Sequence, residues 1–363
     1  MKCPLCNETE AILIYSNAAV PAFQNRVYEN KNDALNTPCF PVELMQCTSC
    51  GFAWNHLFHP EVMEYDESYQ NEQAHSLAFQ KHLNDTLGVV NSIAKPGQNV
   101  IEIGCGKGVF LSMIRDAGYK VTGYDPAHEG NDPDVVSEYF NKELDVTPGD
   151  IVVLRHTLEH VAAPVEFLHA ICEANGFTGK ILIEVPRFEW IVQRRAFWDI
   201  FHEHCNYFTE SSIAGLFDEC SVVPCFEDQY MWIIADINKL REFTSCKKSC
   251  QATVDPNIFS DEVERLKKYV ALRPGCLIWG AGAKGIAFAN QVDPQGTVLG
   301  GIVDISPKKQ GRYAAKSGHL ILSPDELRDH ENADIIIMNE NYKDEIQAMC
   351  ERNPNALLTL GEI

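Results

Sequence analysis

Residues 99–126 read NVIEIGCGKGVFLSMIRDAGYKVTGYDP, and the fold of this chain turns on them. The apolar, β-branched run Val100-Ile101-Glu102-Ile103 has the length and character of a buried parallel strand. Gly104-Cys105-Gly106-Lys107-Gly108 follows, and then an amphipathic helix with Phe110, Leu111, Ile114 and Ala117 on one face. Gly118 ends that helix, and a second strand from Lys120 to Tyr124 stops at Asp125-Pro126. The glycines allow a tight turn and close approach of backbone to a ligand. The start of the helix leaves free N–H groups, and an acid closing the second strand can take a ribose diol. The stretch is half of a doubly wound α/β unit.

Dinucleotide folds and S-adenosylmethionine (SAM) methyltransferases share this geometry, and Glu102 favours the second. Glu102-x-Gly104-x-Gly106-x-Gly108, with Asp125 at the next strand end, resembles motif I of the class I SAM-dependent enzymes. A carboxylate two residues before the first glycine would repel a pyrophosphate but tolerates cationic SAM. NAD, or a glycine turn with no ligand, are the remaining readings. The cofactor-site residues expected here are Glu102, Gly104, Cys105, Gly106, Gly108, Asp125 and Pro126. Arg155 and His156 join them at the end of the strand in DIVVLRH. Tyr69, in the aromatic and polar segment upstream of motif I, is a further residue that could face SAM or substrate; an exposed helical lead-in is the alternative.

Taken as a whole, the 363 residues are enough for two or three domains with a sizeable core. A formal net charge of −21 argues against nucleic acid or an anionic membrane as main partner. The start, MKCPLC, has no apolar signal core and no run reaches membrane-spanning length, so a cytoplasmic protein with reduced cysteines is expected. Four of the 14 cysteines are spaced for a metal: Cys3-Pro-Leu-Cys6 and Cys47-Thr-Ser-Cys50-Gly. Two such knuckles complete a tetrahedral Cys₄ zinc site with no open position, hence a structural one. Unliganded core cysteines are the alternative.

Past Asp125, strands and helices continue to alternate and close on a hairpin within 220–238, as expected of a class I methyltransferase sheet. Between strand and hairpin lies AFWDIFHEHCNYFT, residues 196–209, which should cover the carboxyl ends of the sheet. A histidine there suits a general base, and a neighbouring glutamate could orient it. His204 is the first candidate, with Glu203 beside it and His202 or Tyr207 as donor to an oxyanion. A structural histidine in an aromatic cluster and a His-x-His metal pair are the other readings. After a linker and helix, Gly280-Ala-Gly282-Ala-Lys284-Gly285 follows a short strand and opens a helix, with Asp304 nineteen residues after Gly285. By spacing this is a second nucleotide-binding fingerprint, although only half a dinucleotide domain fits the remaining length. A purely structural loop is the alternative.

The Cys₄ knuckles, motif I, Leu158-Glu159-His160 and the His-Glu-His…Tyr-Phe segment occur in one order along the chain. Together they resemble the zinc-containing SAM-dependent C-methyltransferases typified by deoxysugar 3-C-methyltransferases. The resemblance covers nearly the whole chain, but Phe201 stands where the sugar enzymes have tyrosine, and Tyr69-Gln70-Asn71-Glu72 departs from their pattern. It implies a zinc module (1–60), a SAM domain (61–240), and a linker helix with a Rossmann-like domain (241–363). It also implies that Gly280, Gly282, Lys284, Asp304, Asn341 and Tyr342 hold a nucleotide-linked sugar. The expected reaction is methylation of a carbon beside a ketone through an enolate. O- or N-methylation of a nucleotide sugar, or binding without catalysis, are the rivals.

Overall fold

In the computed structural model the described residues are 2–63, 76–128, 130–241, 253–330, 332–350 and 356–363. Motif I lies at the centre of a seven-stranded sheet. We number its strands β1 (Asn99–Ile103), β2 (Lys120–Tyr124), β3 (Val135–Val136), β4 (Ile151–Arg155), β5 (Lys180–Pro186), β6 (Ser221–Cys225) and β7 (Tyr230–Asp236). Their spatial order is β6-β7-β5-β4-β1-β2-β3. The five strands β1 to β5 run parallel, and the hairpin β6–β7 joins antiparallel to β5. This is a class I SAM-methyltransferase-like fold.

The sheet is apolar on both faces because helices cover both. Ile101, Ile103, Val152, Leu154, Ile181 and Ile183 point to one side, and Val100, Ile151, Val153 and Leu182 to the other. The helix Val109–Asp116 buries Phe110, Leu111 and Ile114, as its pattern requires. Each such side chain is worth about 1.5–3 kcal/mol of apolar burial.

The cysteine knuckles belong to a four-stranded sheet built from Ala11–Pro21, Cys39–Cys47, Ala53–Asn55 and Asn206–Tyr207. The last strand comes from the segment that holds the candidate base, with Asn206 opposite Trp54 and Tyr207 opposite Ala53. Cys3, Cys47, Cys50 and Phe52 share one hydrophobic cluster with the central sheet. The amino-terminal residues therefore form part of the frame around the site. They also reach the far end of the chain, since Val27–Tyr28 pairs with Tyr313–Ala314.

The carboxyl-terminal residues form a five-stranded parallel sheet in the order Ile321–Leu322, Gly301–Val303, Leu277–Trp279, Ile335–Ile337, Leu357–Thr359. It is held against the central unit by a shared apolar core, in which Phe197 and Trp198 meet Phe288, and by polar contacts. Ser76 Oγ donates to Glu345 Oε2 at 2.8 Å, and Asn341 Nδ2 donates to the Phe226 carbonyl at 3.2 Å. Among the described residues no helix is long and apolar enough to cross a membrane.

Candidate active site and metal centre

The two knuckles bring four sulfur atoms within 4.8 Å of one another. Each turn closes on a left-handed residue, Asn7 (φ 59°) after Cys6 and Gly51 (φ 76°) after Cys50. The Asn7 N–H donates to Cys3 O and the Gly51 N–H to Cys47 O, which curls each pair of thiols toward one point. Cys3 and Cys50 Sγ lie 3.7 Å apart, and Cys6 and Cys47 Sγ 3.5 Å apart. Four thiolates at such spacing suit a closed tetrahedral zinc site, so this cluster is consistent with a structural Zn²⁺.

The larger site is a cavity of about 880 Å³ between the two glycine loops. Glu102, Gly104, Cys105, Gly106, Asp125, Pro126, Arg155 and His156 line it on the central-sheet side. Gly108 lies behind them as the cap of the following helix, at φ 76°. Gly104 sits at φ 77°, and a Cβ there would collide with Thr157 Oγ1. Asp125 braces the loop: Oδ2 accepts from the Gly106 N–H and Oδ1 from the Ala127 N–H, both at 2.8 Å. Tyr69 lies outside the described residues.

Charges at the strand ends are organised by Glu184, which is fully buried on β5. Its carboxylate accepts from His82 Nε2 (2.8 Å), Arg155 Nε (3.1 Å) and Trp232 Nε1 (3.1 Å). His156 Nε2 lies 2.9 Å away from it. Burial alone would raise the pKa of Glu184, but Arg155 and the two histidines hold it well below the carboxylate range. Burial likewise works against charge on His156, yet Glu159 and Glu184 win and set its pKa at about 9. Glu102 goes the other way. Burial, with Asp125 and Glu184 nearby, lifts it to about 8 against the pull of Arg155, and its Oε2 has no hydrogen-bond partner among the described residues. A buried carboxyl of this kind, beside the glycine loop, fits a cationic group on the ligand. The residues present thus fit SAM.

Of the four residues expected to do chemistry, His204 alone lines the cavity. Its ring lies edge-on to His160 (4.7 Å between centroids) and Phe201 (4.8 Å). Burial first, then the charges of His160, His156 and Lys284, push its pKa well below 6.5. The other three turn elsewhere. His202 is fully buried with its ring 5.1 Å from Phe40 and 5.5 Å from Phe58, and burial lowers its pKa to about 4. Glu203 Oε1 accepts from the Gln24 N–H at 3.0 Å. The Tyr207 hydroxyl accepts from the Phe201 N–H at 3.0 Å and donates to the Phe201 carbonyl, so it is a brace for the loop. The carboxylate grouped with the His204 and His160 rings is Glu159, all within 4.8 Å. The Leu158-Glu159-His160 signature directly after β4 was the signal for these two residues.

On the opposite wall, Gly280, Gly282, Lys284, Asp304 and Tyr342 line the cavity. Asn341 does not; it clasps Phe226 instead. Lys284 Nζ donates to Asp199 Oδ2 at 2.8 Å and lies over the Trp190 ring. Asn25, from the amino-terminal unit, also reaches the cavity, and nothing in its sequence neighbourhood announced it.

Residues 71–220 match the methyltransferase domain family, and residues 257–355 match the C-methyltransferase C-terminal domain family. Among curated proteins the chain is similar to the C-methyltransferase NovU of Streptomyces niveus, at 26% identity over 234 residues. That match covers 60% of this chain and 54% of NovU, about half its length. Among solved structures the chain is partly similar to a Pyrococcus horikoshii protein, at 12% identity and TM-score 0.35 over 45% of this chain and 92% of that one. A SAM-dependent methyltransferase from Archaeoglobus fulgidus is similar at 16% identity and TM-score 0.32, over 43% and 93%. Residues 71–220 are thus similar to methyltransferase domains and residues 257–355 to the carboxyl-terminal domain of C-methyltransferases, on an α/β fold of the class I SAM-methyltransferase type.

Proposed function

We propose that the protein methylates a carbon beside a ketone in a nucleotide-linked sugar, with His204 as the base. One observation carries this reading: His204, the SAM-type glycine loop and the second glycine loop all face a single cavity of about 880 Å³. That volume lies near the top of the range for a single small-molecule site, as two ligands side by side would require. The kinship of residues 257–355 to a C-methyltransferase domain supports carbon as the acceptor.

The two imidazoles of the cavity are pushed in opposite directions, His204 down and His156 up to about 9. Near neutral pH one is a free base and the other a cation, the division that proton abstraction needs. His204 takes the proton from the carbon beside the carbonyl, and the electron pair moves to the carbonyl oxygen. His156, held in place by Glu159 and Glu184, offers positive charge to that oxygen. It replaces His202 and Tyr207, whose polar atoms are turned away from the cavity. SAM supplies the methyl group that the enolate carbon takes as the carbon–sulfur bond breaks. The protein aligns the acceptor carbon and excludes water.

Solvent-deuterium exchange tests the base directly. With S-adenosylhomocysteine bound and a 4-keto nucleotide sugar added, wild type should exchange the proton beside the ketone and His204→Asn should not. Loss of a general base costs roughly 10²- to 10⁴-fold. Exchange surviving in the variant would move the base elsewhere. Methyl found on oxygen or nitrogen, without exchange in either protein, would rule out the carbon reaction.

A further inference from the structure

Among the described residues two groups of side chains converge as metal ligands do. One is the cysteine cluster. The other is Glu159, His160 and His204, whose ligand atoms lie within 4.8 Å of one another and all of which line the large cavity. Glu159 and His160 are neighbours in the single turn Leu158–His160 directly after β4. His204 is brought to them by hydrogen bonds from the two residues that follow it. The Cys205 N–H donates to the Glu159 carbonyl at 2.9 Å, and Asn206 Nδ2 donates to the Leu158 carbonyl at 3.0 Å. The His-x-His pair written in the sequence forms no site, because Phe40 and Phe58 flank the His202 ring.

Each of the three is oriented as a ligand is. His160 Nδ1 donates to the Glu203 carbonyl at 2.9 Å, which puts the lone pair of the neutral ring on Nε2. A backbone carbonyl behind the imidazole is a usual outer partner of a metal-bound histidine. Glu159 is 1% exposed; its Oε1 accepts from His156 Nδ1 at 3.3 Å, and its Oε2 has no hydrogen-bond partner among the described residues. A buried carboxylate oxygen without a donor is costly unless a cation meets it. The charge of His156 opposes a dication, but Glu184, 2.9 Å from its other nitrogen, answers that charge. The His204 ring stands edge-on to His160, with 4.7 Å between centroids. Two imidazoles and a carboxylate suit a divalent ion of the zinc, cobalt or nickel kind, whereas magnesium and calcium take oxygen. Bonds of about 2.0–2.2 Å set tetrahedral ligand atoms about 3.4 Å apart, so side-chain rotations of about an ångström close the set. Three protein ligands leave a position open toward the cavity, unlike the four of the cysteine cluster.

We propose that Glu159, His160 and His204 form a second metal site, for a divalent ion of the zinc class, inside the large cavity, and that the ion competes with the substrate proton for His204. The ion takes the ring lone pair that a base needs, so occupancy switches the reaction off. Only this consequence rests on the reading of His204 as base; the binding rests on the three ligands.

Cobalt(II), added to protein purified with zinc, is the probe. On two imidazoles and a carboxylate it absorbs weakly in the visible, without the strong near-ultraviolet thiolate band of a cysteine site. One cobalt per chain should appear in this form. Glu159→Gln, His160→Asn and His204→Asn should each weaken its binding at least about tenfold. Should Glu159→Gln fail to fold, the two histidine variants decide. In the solvent-deuterium exchange assay, saturating cobalt should slow wild type by roughly the 10²- to 10⁴-fold that loss of a base costs, and a chelator should restore it. Cobalt that enters only with the thiolate band, or that binds all three variants as it binds wild type, would overturn the site and leave the base reading intact. Cobalt held by the three ligands with exchange undiminished would overturn the competition, and the base reading with it. Absence of exchange in cobalt-free wild type would overturn the base reading and the competition, while the spectrum still decides the site.

Discussion

Glu102 provides the sharpest quantitative test of the SAM site. The residue is 2% exposed, one carboxyl oxygen lacks a partner among the described residues, and its pKa sits at about 8. In the unliganded protein at pH 7 about nine in ten molecules carry a proton there. Pairing with the positive charge of SAM requires the ionised form, so binding should release about 0.9 proton at pH 7. The apparent affinity should then rise about tenfold from pH 6 to pH 7 and flatten above pH 8. Titration calorimetry in buffers of different ionisation enthalpy counts the proton directly. Glu102→Gln should bind weakly, with no pH slope and no released proton. Stability should move in the opposite sense. Because the folded pKa is raised above 4.5, the folded state holds more protons than the unfolded one across that window. The unliganded protein should lose roughly 5 kcal/mol as pH rises from 4.5 to 8, and SAM or Glu102→Gln should remove the effect. A flat affinity between pH 6 and 7.5, with under about 0.2 proton released, would refute a neutral Glu102 awaiting a cation.

Glu184→Gln should destabilise by about 3–5 kcal/mol in denaturant titration, since it strips the buried Arg155 of its counter-charge. Its depressed pKa makes wild-type stability full above pH 4.5 and lost as pH falls through the folded value; an unchanged acid limb in the variant would show that the network contributes little. Gly104→Ala should cost about 1–2 kcal/mol for its left-handed φ of 77° alone and weaken SAM binding at least tenfold. Adding Thr157→Ala should recover part of that loss, because Thr157 Oγ1 is what the new Cβ meets; no recovery would deny the collision. Metal analysis should find about one zinc per chain, and Cys50→Ser should lower both zinc content and melting temperature. A metal-free variant that melts with wild type would argue against a structural zinc.

Those elements that were legible in the sequence are the ones specified locally. Motif I declares its strand, turn and helix within 99–126, because the apolar period, the glycines and the closing acid are all short-range signals. The cysteine knuckles and the strand–loop–helix at Gly280 are likewise written in contiguous residues. Segment 196–209 is different. Its residues form short turns and a two-residue strand, so no helical or strand period says which side chains share a face. The direction of each is set by partners far along the chain. Pairing of Asn206 and Tyr207 with Trp54 and Ala53 anchors the segment to the amino-terminal sheet. Gln24 claims the Glu203 carboxylate, and Phe40 and Phe58 enclose His202. With Tyr207 bonded back to Phe201, His204 remains, of the four candidates, as the side chain that lines the cavity. The cysteine cluster, the strand pairing and the proposed base are therefore coupled: the Cys47–Cys50 knuckle leads directly into Ala53–Asn55, whose partner strand holds the loop that carries His204. The amino-terminal sheet thereby bears on where the His204 side chain points.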